Sequence, residues 1–190
     1  MSVIKDVSDY VYITCDGVGE GETMSIYTID NDYKIKKIWT NFYPNSIGLL
    51  YSTITDYLGF EVNEGEFKVM SLSSFGKPIY EKELKKMFDI NNFTINMDYF
   101  EFHKSPSKSF SKKLCEVFGE PYLNISEETN FNKYADIASS TQLILEHTMK
   151  NLIQKAMDLS GRRKIVLTGG VALNCKMIHS LSKQSIFEEM

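Results

Sequence analysis

The chain has 190 residues, and its 21 lysines and arginines against 25 aspartates and glutamates give a formal charge of -4. Apolar residues make up 43 % of it, which excludes a largely disordered chain, and the acidic balance argues against a nucleic-acid partner. The sequence shows no apolar run of the roughly 20 residues that a membrane helix needs and no signal peptide. We therefore expect a cytoplasmic protein without a membrane partner.

Three strands are predicted at the start of the chain. Residues 10–15, 23–29 and 33–40 are rich in β-branched and aromatic side chains, and their short connections predict an antiparallel meander. The first connection, DGVGEGE at 16–22, contains more glycine than an ordinary tight turn requires.

Helical spacing replaces this pattern in the next segment. Apolar residues three and four apart predict a helix over 47–58, with Asn45 or Ser46 as its cap and Gly59 at its end. The other elements predicted here are helices over 67–76, 81–88 and 105–118 and a hairpin over 91–102.

A long helix and a strand–helix unit complete the predicted elements. Residues 133–159 carry a continuous apolar stripe, and KIVLT at 164–168 predicts a buried strand that leads through Gly169 and Gly170 into a helical run. The order helix, strand, Gly-Gly, helix indicates a parallel strand. The sequence therefore predicts an α/β fold, with a mixed sheet and flanking helices.

The cysteines and histidines are isolated from one another. They show no CxxC or HxxxH spacing, which argues against a disulfide framework and against a histidine metal site within the chain. These residues are Cys15, Cys115, Cys175, His103, His147 and His179.

Two glycine loops combine groups that suit a nucleotide. Asp16 follows a buried strand, where its carboxylate suits a divalent cation, and Gly17 and Gly19 let backbone N–H groups approach phosphate. Gly169 and Gly170 precede a predicted helix N-terminus, which attracts anions. The alternative for the first loop is an acidic hairpin turn, which prevails among random DGxG matches, and the alternative for the second loop is a sharp strand-to-helix turn.

Ordered motifs along the chain resemble known proteins. The two loops in this order resemble the actin, sugar-kinase and Hsp70 superfamily, with its ribonuclease H-like core. SIGLLYSTITDYLGFEVNEGEFKVMSLSSFG (46–76) resembles the signature region of the NodU-type carbamoyltransferases. DGVGE (16–20), YADIASSTQ (134–142) and TGGVALN (168–174) are similar to further motifs of that family, in the same order.

The resemblance implies an activity and its cofactors. In this family a YrdC-like domain makes carbamoyl adenylate from carbamoyl phosphate and ATP. A Kae1-like domain passes the carbamoyl group to a hydroxyl of a sugar or secondary metabolite. It uses a divalent metal, iron or magnesium-like, held by two histidines and by aspartates. The implied partners are a nucleotide and a hydroxyl-bearing small-molecule acceptor.

The resemblance also implies roles for individual residues. Asp16 is expected to be a catalytic metal ligand. Lys68 is expected to pair with phosphate or to shape the cleft, although a salt bridge with Glu66 that holds the turn explains the pair equally well. The expected nucleotide-binding residues are Gly17, Gly19, Lys68, Thr168, Gly169, Gly170 and Asn174.

The chain departs from the family pattern at both ends. The family's paired histidines precede the strand before Asp16, and an aspartate loop and the YrdC-like domain follow the segment after Asn174. We therefore expect residues 1–190 to be a partial Kae1-like domain, from truncation, a split gene or degeneration. Alone it is expected to transfer no carbamoyl group and to bind ATP or AMP weakly. The alternative is a non-catalytic actin-like nucleotide-binding or assembly module, with a homodimer or a complementary fragment as partner.

Overall fold

The first strand of the chain, β1, is the centre of a four-stranded mixed sheet with the order β3-β2-β1-β6. The computed structural model describes residues 6–104, 108–122, 127–184 and 187–188. The strands in these residues are β1 (Tyr10–Cys15), β2 (Glu22–Ile29), β3 (Ile35–Phe42), β4 (Phe88–Asp89), β5 (Thr94–Ile95) and β6 (Lys164–Thr168).

The helices of the described residues surround this sheet or continue its connections. Short three-ten turns cover Val7–Asp9, Met97–Tyr99 and Gly170–Leu173. The α-helices are α1 (Ile47–Tyr57), α2 (Glu66–Leu72), α3 (Glu81–Met87), α4 (Lys112–Phe118), α5 (Glu128–Ser160) and α6 (Cys175–Ser182). Within the same ranges, no helix combines the length and the apolar character that crossing a bilayer requires.

Strand pairing confirms the predicted meander and the predicted parallel strand. β1 pairs antiparallel with β2, β2 pairs antiparallel with β3, and β1 pairs parallel with β6. Val11, Ile13 and Cys15 of β1 are fully buried, because neighbouring strands lie on both edges of β1 and α5 packs against it. The fold is thus α/β with a mixed sheet and flanking helices, as predicted.

The boundaries of α1 follow from its caps. The Ser46 side chain accepts a hydrogen bond of 3.0 Å from the backbone N–H of Leu49, so Ser46 is the N-cap. Gly59 lies just beyond the helix with φ 81°, a conformation that glycine adopts without a Cβ clash. The prediction for this helix is confirmed to within one residue at its C-terminal end.

The long helix α5 organises the helical part of the fold. It contacts β1 and four other helices, α1, α2, α3 and α6. Its apolar stripe is buried, and it ends at Gly161, which has the left-handed φ of 71°. The helix begins at Glu128, five residues before the predicted start at Lys133.

Two shorter elements differ from their predictions. The hairpin consists of β4 and β5 and therefore begins at Phe88, before the predicted range 91–102. The helix predicted over 105–118 begins at Lys112, because the Ser111 hydroxyl caps it by accepting from the backbone N–H of Leu114. Residues 105–107 of that prediction lie outside the described residues.

The Gly-Gly pair does not lead directly into an α-helix, so this part of the prediction is wrong. Gly170–Leu173 form a three-ten turn, and α6 begins only at Cys175. The Asn174 side chain accepts a hydrogen bond of 2.9 Å from the backbone N–H of Met177 and so caps α6. The N-terminus of α6, the end of a helix that attracts anions, is therefore separated from Gly169 and Gly170 by the three-ten turn.

Candidate functional site

The two glycine loops meet at one edge of the sheet. β1 and β6 are parallel neighbours, so the loops that follow them leave the sheet side by side. The Asp16 carboxylate accepts a hydrogen bond of 2.8 Å from the backbone N–H of Gly17. A Cβ atom on Gly170 would lie 3.0 Å from the same Asp16 oxygen, Oδ1. The missing side chain at Gly170 thus permits the close approach of the two loops.

The start of α1 contacts the backbone of the loop that contains Asp16 and Gly17. Ser46 Oγ donates a hydrogen bond of 3.1 Å to the backbone carbonyl of Asp16. Two residues further along the chain, a Cβ on Gly48 would lie 2.9 Å from the Cα of Gly17 and 3.0 Å from the Asp16 carbonyl oxygen. Only glycine at position 48 allows this contact between helix and loop, so the position of Asp16 depends on α1.

The loops form one wall of an open cleft of about 340 Å³. The opposite walls come from α1, from the segment before α2 and from α2 itself. The lining residues are Asp16, Gly17, Gly48, Tyr51, Ser52, Asn63, Glu64, Glu66, Phe67, Met70, Leu145, Gly170, Val171, Leu173 and Asn174. A polar edge and an apolar floor are typical of small-molecule sites.

The structure brings four of the predicted site residues to this cleft: Asp16, Gly17, Gly170 and Asn174. The other predicted residues are described but lie outside its lining. Gly19 has φ 55° in the β1–β2 connection, and a Cβ there would lie 2.6 Å from the Glu22 carbonyl oxygen. The hairpin turn therefore accounts for Gly19. Thr168 is exposed at the end of β6. Gly169 has φ 96°, and a Cβ there would clash with the Cys15 carbonyl oxygen.

Glu66 and Lys68 do not form the salt bridge considered as an alternative. Glu66 Oε1 accepts hydrogen bonds from Ser52 Oγ at 2.8 Å and from the backbone N–H of Asn63 at 3.0 Å. The Lys68 ammonium lies 5.6 Å from the ring centroid of Phe60 and also near that of Phe67, a cation–π arrangement. Of this pair, Glu66 lines the cleft and Lys68 does not.

Sequence reasoning assigned no role to two buried polar residues beside the cleft, Tyr51 and Gln142. The Tyr51 hydroxyl donates a hydrogen bond of 3.1 Å to Gln142 Oε1. Burial raises the pKa of Tyr51 above its ordinary value, while the nearby Asn174 amide opposes the rise, so the hydroxyl stays protonated at neutral pH. The sequence feature that could have identified Gln142 is its position as a polar residue on the apolar stripe of α5, between Ala138 and Leu145.

The described residues do not by themselves form a metal site. Across them, histidine, cysteine, aspartate and glutamate side chains make no group of three that could hold a metal ion. Asp16 offers one carboxylate to the cleft, whereas Mg²⁺ and similar cations need several oxygen ligands. His147 lies elsewhere, with its Nδ1 3.9 Å from the Glu81 carboxylate.

Comparison with known proteins settles the family. The sequence profile described as "Carbamoyltransferase N-terminus" matches residues 7–190. The chain belongs to this carbamoyltransferase family. The resemblance to carbamoyltransferases predicted from the ordered motifs is therefore confirmed.

Relatives of this carbamoyltransferase N-terminal region are longer proteins. An uncharacterized protein of Synechocystis, sll1178, is 33 % identical over 187 residues, covering 96 % of this chain and 30 % of the relative. The nodulation protein NolNO of Sinorhizobium fredii is 25 % identical over 182 residues, covering 94 % of this chain and 25 % of the relative. An uncharacterized protein of Methanocaldococcus jannaschii, MJ1051, is 31 % identical, with 95 % and 34 % covered. The chain thus spans between a quarter and about a third of these relatives.

Proposed function

We propose that this chain forms the nucleotide-facing part of an O-carbamoyltransferase site. In this proposal the cleft holds carbamoyl adenylate, and the carbamoyl group passes to a hydroxyl of a sugar or another small metabolite. The observation that carries the proposal is the convergence of the Asp16 and Gly170 loops on one cleft in a chain of this family.

The proposed chemistry needs no covalent enzyme nucleophile. The acceptor hydroxyl oxygen attacks the carbamoyl carbon and gives up its proton to solvent, the bond from that carbon to the phosphate oxygen breaks, and AMP leaves with the electron pair. Burial raises the pKa of the Cys15 thiol, and this cysteine beside the Asp16 loop is therefore a poor nucleophile at neutral pH. That environment agrees with direct transfer.

We also propose that the sheet is part of an actin-like, ribonuclease H-like core. The antiparallel meander β1–β2–β3 followed by the parallel strand β6 supports this assignment. A glycine loop after β1 and another after β6 would then face the nucleotide from two sides. A structure of this chain bound to AMP tests the assignment, since the ligand should lie between those loops.

Asp16 is proposed as one ligand of a divalent cation, with further ligands from outside the described residues. A bound cation would polarise the carbamoyl carbonyl. Asp16 also accepts from Gly17 N–H, which holds the carboxylate toward the cleft. Titration of Mg²⁺ or Fe²⁺ in the presence of AMP should show weaker cation binding in Asp16→Asn than in the wild type.

Calorimetric titration with AMP tests the nucleotide-binding part of the proposal. In Gly170→Val the added side chain meets Asp16 Oδ1, and we expect the AMP affinity to fall by about tenfold or more. Ala172→Val is the matched control, because Ala172 belongs to the same turn but not to the cleft lining. Absence of AMP binding in the wild type, or equal binding by Gly170→Val, would contradict the proposal.

A second candidate is a non-catalytic nucleotide-binding or assembly module. It is favoured by two exposed apolar residues at the cleft, Leu173 at 83 % and Phe67 at 59 % exposure. A dimer in sedimentation experiments that Leu173→Ser abolishes, together with AMP binding that is indifferent to carbamoyl phosphate, would support this candidate over carbamoyl transfer.

A further inference from the structure

A buried side-chain amide lies behind the cleft and connects three of its elements. Gln142 on α5 is 2 % exposed and does not itself line the cleft. Its Oε1 accepts from Tyr51 Oη at 3.1 Å and from Asn174 Nδ2 at 3.0 Å. Its Nε2 donates to Asn174 Oδ1 and to Glu146 Oε1, both at 3.0 Å. All hydrogen-bonding positions of this amide are therefore used within the protein.

Two groups fix the direction of the hydrogen bonds among Tyr51, Gln142 and Asn174: the backbone N–H of Met177 and the carboxylate of Glu146. A backbone N–H can only donate, so the Met177 N–H requires Asn174 to present Oδ1, at 2.9 Å. The Glu146 carboxylate accepts, so it requires Gln142 to present Nε2. Both constraints leave Gln142 Oε1 facing Tyr51, whose hydroxyl must then donate its proton to that oxygen.

The consequence for the cleft concerns Tyr51. Its hydroxyl proton is committed to Gln142, and the oxygen therefore offers only lone pairs to a ligand. Tyr51 is 5 % exposed and lines the apolar floor with Met70 and Leu145. Because the Tyr51 oxygen can only accept a hydrogen bond from a ligand and lies among apolar side chains, it suits a planar ligand group that donates hydrogen bonds and does not accept them.

We propose that Tyr51 Oη accepts a hydrogen bond from an NH₂ group on a planar carbon of the ligand, and that Gln142 is the positioning residue that makes Tyr51 an acceptor. This inference rests on the proposed function. Carbamoyl adenylate carries two groups of this chemistry, the carbamoyl amide and the exocyclic amino group of adenine. In both, the nitrogen lone pair is delocalised, so the NH₂ donates and does not accept.

Two ligand pairs that differ only in the amino group test the proposal. AMP is compared with purine riboside monophosphate, and carbamoyl phosphate is compared with acetyl phosphate, each by calorimetry with the 190-residue chain. We expect a preference of about 3- to 10-fold for the amino member of one pair, the value of one neutral hydrogen bond. The pair that shows the preference identifies the group that Tyr51 contacts.

Tyrosine variants connect that preference to one oxygen. Tyr51→Phe should bind both members of the pair equally. Tyr57→Phe is the matched control, because Tyr57 is a buried tyrosine on the same helix whose hydroxyl donates to the Gly119 carbonyl, outside the cleft lining. It should retain the wild-type preference.

Variants of Gln142 separate positioning from a merely structural role. Gln142→Glu keeps an oxygen that accepts the Tyr51 proton, so the preference should remain even though the new carboxylate beside Glu146 lowers stability. Gln142→Met removes that oxygen and frees the Tyr51 proton to donate to a ligand acceptor as well, so the preference for the amino member should fall. If Gln142 only stabilised the fold, the ligand preference would not differ between Gln142→Glu and Gln142→Met in this way.

Equal binding of both members of each pair by the wild type, or a preference that survives in Tyr51→Phe, would overturn the inference and leave the proposed function standing. Failure of the wild type to bind any of the four ligands would overturn both.

Discussion

Gln142 and Asn174 exchange two hydrogen bonds of 3.0 Å each, and this amide pair joins the middle of α5 to the N-cap of α6. Asn174 therefore has two structural tasks, since it also caps α6 through the backbone N–H of Met177. The sequence had assigned this residue to nucleotide binding. Its position in the cleft lining is compatible with that assignment, but most of its hydrogen-bonding capacity is used inside the protein.

The two tasks of Asn174 can be separated by mutation. Asn174→Ala should lower the free energy of unfolding by about 2–4 kcal/mol, because it removes the cap and leaves the buried Gln142 amide unsatisfied. Asn174→Asp keeps an oxygen for the Met177 N–H, and its loss should be smaller. Urea denaturation measures both values. Equal losses would show that the cap contributes little.

The contact between Tyr51 and Gln142 should appear as energetic coupling. Gln142→Met removes the acceptor of the Tyr51 hydroxyl proton, which costs about 1–3 kcal/mol, whereas Tyr51→Phe removes the need for that acceptor. The double variant should therefore be more stable than the sum of the two single losses predicts, by about 1 kcal/mol. A double-mutant cycle from urea denaturation measures this, and strict additivity would contradict the hydrogen bond.

Gly48 should be sensitive to a single added methyl group. Gly48→Ala places a Cβ against the backbone of the Asp16 loop, and we expect a loss of about 1–3 kcal/mol and weaker AMP binding. Gly17→Ala is the matched comparison, because a Cβ at position 17 meets no atom within 4 Å. Its effect on stability should stay within about 0.5 kcal/mol. Similar losses of stability in Gly48→Ala and Gly17→Ala would contradict the close contact between α1 and the Asp16 loop.

Cys15 should make stability fall in alkaline solution. The pKa of the folded Cys15 thiol is raised by burial and, to a smaller degree, by the Asp16 charge, whereas the unfolded thiol ionises at about pH 8.5. Above that pH the folded state binds more protons than the unfolded state, so the free energy of unfolding decreases as pH rises. The Cys15 contribution to this slope is about 1.4 kcal/mol per pH unit. It should be missing from Cys15→Ala when unfolding is measured between pH 7 and pH 10, and identical slopes would refute it.

Thiol labelling offers an independent check on the same residue. Cys175 is exposed on α6 and Cys15 is fully buried in β1. In the native protein Ellman's reagent should modify Cys175 first and Cys15 only after denaturation. Mass spectrometry of the labelled peptides identifies each site, and early labelling of Cys15 would contradict its burial.

Much of the local structure could be predicted from the sequence because it depends on neighbouring residues. The β-branched runs of β1 and β6 and the spacing of apolar residues in α1 and α5 identify these elements. The Gly-Gly turn was less predictable. The capping bond of Asn174 moved the start of α6 to Cys175, and one side chain decides such a boundary more than helical periodicity does.

The sequence by itself determined the family, through ordered motifs, and the two loops that were expected to face a ligand. Tertiary structure decided which residues share the cleft. The parallel pairing of β1 and β6 brings Asp16 beside Gly170, across more than 150 residues of chain, whereas Lys68 lies over aromatic rings outside the lining. It also decided that Gln142 faces Tyr51 and Asn174. Such long-range contacts depend on how whole elements pack, and neither spacing nor composition specifies that packing.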